Sequence, residues 1–414
     1  MHKAGRYTAA LLLVAVGASV IIDKATGTRL TAELIDWWPL LFICLGVEYL
    51  LFNMKYGSTG RPLKLDIPGI IFAVIISAVV IVSTQSADIF KKINGISDIG
   101  DVIGSFGEGY KFDKGVTEIP ISPAIGNVKI NDRDGSVVVK PGNVDKVQVA
   151  LIMYVKVKDE KEARSIADES KIEYQSSGDT LEIQAAGKQY DGSIIGGKYP
   201  RMDLVVTVPA QQKINLEMQT KNGKIEAAQL PIKQRLKAET TNGAISISDL
   251  AGELRFETTN GSITSSRTEG PITLKTTNGR VSVTDHRGDA MLESTNGELN
   301  VQGIAGNVNA HTTNGSVKVD GKVVKLKAET TNGTVEASSD TISGDWDVRT
   351  SNGKIELRLP TQGDYRVAGK GRENGIQSSL PLTVNKKTIE GTIGSGKYAV
   401  RFETNGSVSI QPSN

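Results

Sequence analysis

Asn-Gly pairs begin at Asn222, Asn242, Asn260, Asn278, Asn296, Asn314, Asn332 and Asn352, at intervals of 20, then five of 18, then 20 residues. No other feature constrains the fold as strongly. A fixed period of this length marks units that bury a common face only by stacking on their neighbours. Most pairs follow Thr-Thr, as in Thr258-Thr259-Asn260-Gly261, and a second mark at Gly252, Gly270, Gly288 and Gly306 keeps the same period. Asn405-Gly406 reads as a late variant and Asn374-Gly375 as a degenerate one.

Each repeat divides into two alternating strands. After Asn-Gly come Ile245 and Ile247, Ile263, Val281 and Val283, Leu299 and Val301, then Val317 and Val319. After the mid-repeat glycine come Leu254 and Phe256, Ile272 and Leu274, Leu292, Val308, Leu326, then Trp346 and Val348. Period-2 alternation buries one face of each strand. Asn-Gly also serves antiparallel hairpins, so a meander competes with a solenoid. Identity at 18-residue spacing puts like on like only in parallel register, and a parallel β-solenoid with Asn and Thr ladders at one corner is the expectation. The ladder asparagines are expected to adopt a left-handed corner conformation.

The segment before the repeats reads differently. Three apolar runs, 8–22, 37–52 and 67–82, predict a transmembrane module over 1–85, with Trp37 and Trp38 at an interface. Lys3, Arg6, Lys55, Arg61 and Lys64 favour a cytoplasmic N-terminus, which places the rest of the chain outside the cell. A signal peptide is the competing reading of the first run, but no small-x-small cleavage site precedes Asp23. Glu48, near the end of the second run, is expected to reach the interface, and Cys44 to fill space. Residues 86–115 read as a glycine-rich juxtamembrane linker, 116–210 as a β-rich cap with one helix at Lys158–Ser170, and 211–414 as the solenoid. In that helix Asp159 and Glu162 form a capping box. The expected fold class is thus a membrane-anchored all-β protein: a three-helix transmembrane module, then a parallel β-solenoid with a small α/β cap.

Composition and motifs exclude more than they assign. Lys+Arg 48 against Asp+Glu 46 gives no basic field for nucleic acid, and aromatics at 5% give few stacking platforms. One cysteine excludes a disulfide scaffold and a multi-thiolate metal site. The run Gly391–Tyr398 approaches a phosphate loop but has Tyr398 where Ser or Thr should follow the lysine, and a strand follows it. Asn131-Asp132-Arg133-Asp134-Gly135 lacks the Glu of a calcium loop and reads as a turn. His286 and His311 lack ligand spacing, no nucleophile elbow is present, and no carboxylate pair stands out. Thr258, Thr276, Thr312 and Thr330 share parity with buried positions and read as corner filler rather than an ice-binding row. The expectation is a non-enzyme with no cofactor, no metal, no nucleotide and no nucleic-acid partner.

One surface asymmetry remains. The outward positions of the first strand carry Ser246, Ser248, Ser262, Thr264, Ser266, Ser282 and Thr284, whereas the second strand presents charged rows such as Glu253, Arg255 and Glu257. A flat hydroxyl face suits glycan hydroxyls or another sheet, and it is the candidate binding face.

The Thr-Thr-Asn-Gly repeat and its preceding helix resemble the bacterial putative-adhesin β-strand-repeat family, a domain of unknown function. Trp37-Trp38-Pro39-Leu40-Leu41 and Leu45-Gly46 are similar to the transmembrane region of LiaF-type envelope-stress proteins. The resemblance implies adhesion. With the apolar runs and the hydroxyl face, the expectation is an extracytoplasmic surface binding, adhesion or scaffold protein whose partners are the lipid bilayer and a cell-wall glycan or a surface or membrane protein. The alternatives are an envelope-stress regulator that contacts a membrane sensor kinase and, more remotely, a polysaccharide-active β-helix enzyme.

Overall fold

The computed structural model describes residues 3–4, 8, 10, 13–14, 16–19, 22–23, 47–48, 64–65, 109–190 and 197–413. The chain divides into two units, Met1–Ile103 and Gly104–Asn414.

In the second unit, strands of one continuous 27-stranded sheet wind as a parallel coil. Strands that follow the Asn-Gly corner stack into one wall: Ile225–Ala228 on Ile245–Ala251, then Ile263–Glu269, Val281–Arg287 and the start of Leu299–Asn314. Strands that precede the corner stack into the other: Ile214–Thr220, Ile232–Thr240, Glu253–Thr258, Ile272–Thr276 and Ala290–Ser294. Register is like on like, with Ile245, Ile263, Val281 and Leu299 in one buried column. Both walls alternate buried and outward residues, as half-buried strands must. A meander is thereby excluded.

Sequence order and stacking order part company at both ends. Asn127–Asn131 and Val137–Gly142 form a rung beneath the regular array, paired to Ile214–Thr220 and Ile225–Ala228. Their other edges meet Thr180–Ala186 and Arg201–Pro209. Antiparallel partners then cover that end: Val147–Val155 on Arg201–Pro209, and Tyr110–Ile119 on Val147–Val155. The cap helix runs Glu160–Glu169 and buries Ala163, Ile166 and Ala167; the Asp159 carboxylate accepts the Glu162 N–H at 3.2 Å, the N-cap half of the expected capping box. At the far end, Tyr398–Thr404 and Val408–Pro412 insert between Trp346–Asn352/Ile355–Leu359 and the outermost Tyr365–Lys370/Ile376–Ser378.

The corner itself is built by close approach. A methyl added at Gly243, Gly261 or Gly279 would lie 1.9 Å from the glycine carbonyl oxygen of the preceding rung, so no side chain fits. The ladder asparagines do not take the left-handed conformation expected of them. That conformation falls instead on the mid-repeat corner, in the column Gln229, Asp249, Arg267, Asp285 and Gly303 (φ 50 to 65°). The Asp249 carboxylate accepts both Arg267 Nε–H (2.6 Å) and Nη2–H (2.8 Å), an exposed pair that ties two of these rungs together.

The membrane module requires correction. Among the described residues no helix is long and apolar enough to cross a membrane. The first run, 8–22, would rise about 22 Å at ~1.5 Å per residue, short of a hydrocarbon core of about 30 Å. The expected three-helix anchor, and with it the multi-pass membrane localisation, is withdrawn. In this unit Glu48 is buried, and its Oε2 accepts the Thr8 N–H at 2.8 Å and the Thr8 hydroxyl at 2.6 Å, in place of the expected interfacial position. Cys44, Trp37, Trp38 and the linker over 86–108 lie outside the described residues.

Candidate binding surface

The candidate face begins with the corner that sets its register. Each ladder asparagine donates its side-chain N–H to the Oδ1 of the asparagine one rung below: Asn242 to Asn222, Asn260 to Asn242, and so on through Asn278, Asn296, Asn314, Asn332 and Asn352, at 2.7–2.9 Å. The lowest rung is Asp134, which accepts from Asn222 Nδ2. An acceptor-only group suits this end, because the amide N–H groups all point toward it. Inside the corner a second ladder runs parallel. The hydroxyls of Thr240, Thr258, Thr276, Thr312 and Thr330 donate to glycine carbonyls one rung below at 2.8–3.0 Å, so the corner-filler reading is correct.

Asp132 holds the buried-threonine place in the lowest corner, with Oδ2 buried and lacking a hydrogen-bond partner among the described residues. Burial pushes its carboxyl up to about 7, with Asp134 and Asp203 adding like charge. The ordinary value in an unfolded chain is about 3.9. The folded state therefore holds the extra proton between about pH 4 and 7, and stability falls as pH rises through that window. A methyl at Gly135 would lie 2.1 Å from Met202 O, just as higher corners meet their glycine carbonyls, so a threonine at 132 would have Met202 O as its acceptor. Asp132→Thr is expected to raise stability by on the order of 1–3 kcal/mol at pH 8 and far less at pH 4, read by thermal melts at the two values.

With the corner fixed, the outward residues of the post-corner wall fall into straight columns. Ser246, Thr264 and Ser282 align in one, and Ser248, Ser266 and Thr284 in the next. Ser262 lies at the corner edge, its carbonyl accepting the Ile245 N–H at 2.9 Å. All seven candidate residues thus share one surface. The columns continue into Asn300 and Gln302, so the block without formal charge covers four rungs. Glu226 bounds it below and Lys318 above. Charged columns flank it, with Arg280–Glu298 paired at 2.9 Å on the corner side and Asp249–Arg267 on the other. At ~4.8 Å per rung and ~3.3 Å per residue, the block measures about 14 Å along the axis by about 7 Å between its columns.

The opposite wall is charged and paired. Lys237 bridges Glu217 (3.2 Å) and Glu239 (2.8 Å), which hold its ammonium above the usual lysine range, with Glu239 the larger cause. Lys275 meets Glu293 at 2.7 Å. Beside these columns an open groove of about 670 Å³ runs along the corner, lined by Thr241, Thr259, Thr277 and Thr295 among others.

Beneath the hydroxyl face, Ser265, Thr268 and His286 form a buried chain: Ser265 Oγ lies 3.0 Å from Thr268 Oγ1, which lies 2.9 Å from His286 Nδ1. Burial holds the imidazole below the usual histidine range. All three are shut off from solvent, so the arrangement offers no nucleophile to a substrate. In the glycine run 391–396, residues 391–393 end a strand and Gly394-Ser395 form the turn, where the Ser395 N–H donates to the Asp364 carboxylate at 2.9 Å. His311 is outward, 3.7 Å from Glu329. Among the described residues no group of three His, Cys, Asp or Glu side chains is placed to hold a metal.

Two features escaped the sequence reading. Asp134-Gly135 is a ladder corner disguised by aspartate and by the long insertion before Asn222. A third polar series also caps strand entries: Asp289 accepts the Asn307 N–H (3.1 Å), Asn307 the Lys325 N–H (3.2 Å) and Asp345 the Ala399 N–H (2.9 Å).

Fold and surface together define a capped, parallel β-solenoid with a four-rung block free of formal charge on one wall. The chain belongs to the Toastrack DUF4097 family, whose model matches residues 125–320 and 305–411. The LiaF-type resemblance falls outside the matched residues. Two solved structures align with the chain. One is a putative cell adhesion protein from Clostridium sporogenes (14% identity, 73% of this chain and 100% of that one, TM-score 0.21). The other is a putative adhesin from Parabacteroides distasonis (11% identity, 73% and 98%, TM-score 0.37). No curated protein matches.

Proposed function

We propose that the protein is a non-catalytic binding scaffold of the adhesin kind, and that the uncharged block on its post-corner wall takes up a neutral, hydroxyl-rich polymer such as a cell-wall glycan. The observation that carries this reading is the in-register block from Ser246 to Gln302, bounded by charge on its sides and ends. Hydroxyls and carboxamides both donate and accept, so such a block can exchange its water for sugar hydroxyls without desolvating a charge. Repetition along the axis multiplies weak contacts, since each further rung binds at a high effective concentration.

The test is co-sedimentation of the full-length chain with insoluble cell-wall glycan. The triple Ser246→Lys, Thr264→Lys, Ser282→Lys loads one column with like charges ~4.8 Å apart while sparing the buried Ile245, Ile263 and Val281. Pelleting is expected to fall by about tenfold or more, the factor for losing one or two hydrogen bonds. The pair Thr273→Lys and Met291→Lys on the opposite wall should leave it unchanged. Unaltered pelleting by a folded triple variant would remove this face as the binding surface.

A further inference from the structure

Asparagine followed by glycine is the dipeptide most open to cyclisation, because glycine carries no side chain to keep its backbone nitrogen from the asparagine Cγ. The ladder asparagines all stand at the exposed corner, yet each amide is held by the rung below it. Cyclisation needs that amide to turn toward the following nitrogen, which breaks the ladder bond.

Asn405 is built differently. Thr350 pairs with Thr404 and Ile355 with Val408, so the intervening corner has four residues in one rung (Ser351 to Lys354) and three in the next (Asn405 to Ser407). The shorter corner keeps the glycine stack, since a methyl at Gly406 would lie 1.8 Å from Gly353 O. It also keeps the inner threonine ladder, with Thr404 Oγ1 donating to Gly353 O at 2.8 Å. Between the stacked threonines and the stacked glycines the lower rung has two residues, Ser351 and Asn352, and the upper rung has Asn405 alone. Asn405 makes no ladder bond to Asn352, and its side chain has no hydrogen-bond partner among the described residues. Asn405 is exposed, and the Gly406 N–H donates to Thr404 Oγ1 at 2.8 Å, the one bond that attack by this nitrogen breaks, against the two held by a mid-ladder amide such as that of Asn278.

We infer that Asn405-Gly406 is a deamidation site of the folded protein and that the ladder protects the Asn-Gly corners whose amides it holds. The Gly406 nitrogen gives up its proton to hydroxide and attacks Asn405 Cγ; Nδ2 takes a proton from water as the Cγ–Nδ2 bond breaks, so that ammonia leaves and hydroxide is regenerated. Water then opens the resulting succinimide at either carbonyl, leaving aspartate or isoaspartate at 405. The product adds one negative charge to the penultimate rung without breaking an asparagine ladder bond.

The experiment incubates the full-length chain at mildly alkaline pH, folded and in urea, followed by peptide mapping with mass detection. Tryptic peptides Thr276–Arg280 and Phe402–Asn414 report Asn278 and Asn405 separately. In the folded protein Asn405 should convert about tenfold faster than Asn278, the factor that one hydrogen bond is worth, and in urea the two rates should converge. Equal rates in the folded chain would overturn the inference. So would a lead for Asn405 that survives in urea, because local sequence and not the short corner would then be the cause.

Discussion

Gly279→Ala should abolish the native state or cost it more than about 4 kcal/mol, the range reserved for changes the fold cannot absorb. The added methyl would lie 1.9 Å from Gly261 O. The atom it meets is main chain, and the preceding and following corners are equally tight, at 1.9 Å and 1.7 Å, so no flexible side chain is available to yield. Relief would require parting two rungs whose amides are bonded, Asn278 N to Thr259 O at 2.8 Å among them. Circular dichroism and thermal unfolding read the effect. Gly115→Ala is the comparison, since its φ is +71° but nothing lies within 4 Å of the new methyl; it should cost about 1 kcal/mol. A near-native melting temperature for Gly279→Ala would mean that the corners are not stacked at this distance.

Asn278→Leu should destabilise by about 1–3 kcal/mol, because it removes a donor from Asn260 and an acceptor from Asn296, each at 2.8 Å. Asn405→Leu should fall within about 0.5 kcal/mol of the parent, as an exposed side chain outside the ladder does. Urea titration of the two variants separates the cases. Asn278→Asp adds resolution: it keeps the acceptor for Asn296 and loses the donor to Asn260, so it should lie between the other two at neutral pH. Equal small effects at 278 and 405 would deny the ladder any energetic role.

Much of this was legible in the sequence because periodicity reports stacking directly. The alternation around Ile245, Ile263 and Val281 identified the buried face, and the 18-residue identity favoured a solenoid over hairpins, since parallel register stacks like on like; the observed register excludes the meander. What escaped notice had lost one of those signals. The rung at Asn127–Gly142 is separated from its neighbour by the cap and carries aspartates where the repeat has Thr and Asn. The left-handed column Asp249, Arg267, Asp285 was hidden because its residues are not glycine, which led the conformation to be assigned to asparagine. The apolar runs near the N-terminus resembled spans because mean hydropathy does not distinguish a short apolar segment from one long enough to cross a bilayer. The candidate face was visible as a row of hydroxyls, but its extension into Asn300 and Gln302 and its charged borders emerge only from the register.

The central claim is that consecutive repeats lie in parallel, in register, one rung apart. Disulfide trapping tests it most directly, with Cys44→Ser as the background. Ser246 and Thr264 are Cα partners on adjacent strands, and Ser282 lies one rung further. Adjacent rungs at ~4.8 Å fall within the span a disulfide bridges, whereas two rungs at about 10 Å exceed it. The pair Ser246→Cys with Thr264→Cys should oxidise to an intramolecular cross-link in the folded protein, and Ser246→Cys with Ser282→Cys should not. Cross-linking of the second pair, or of neither, would contradict the stacked solenoid.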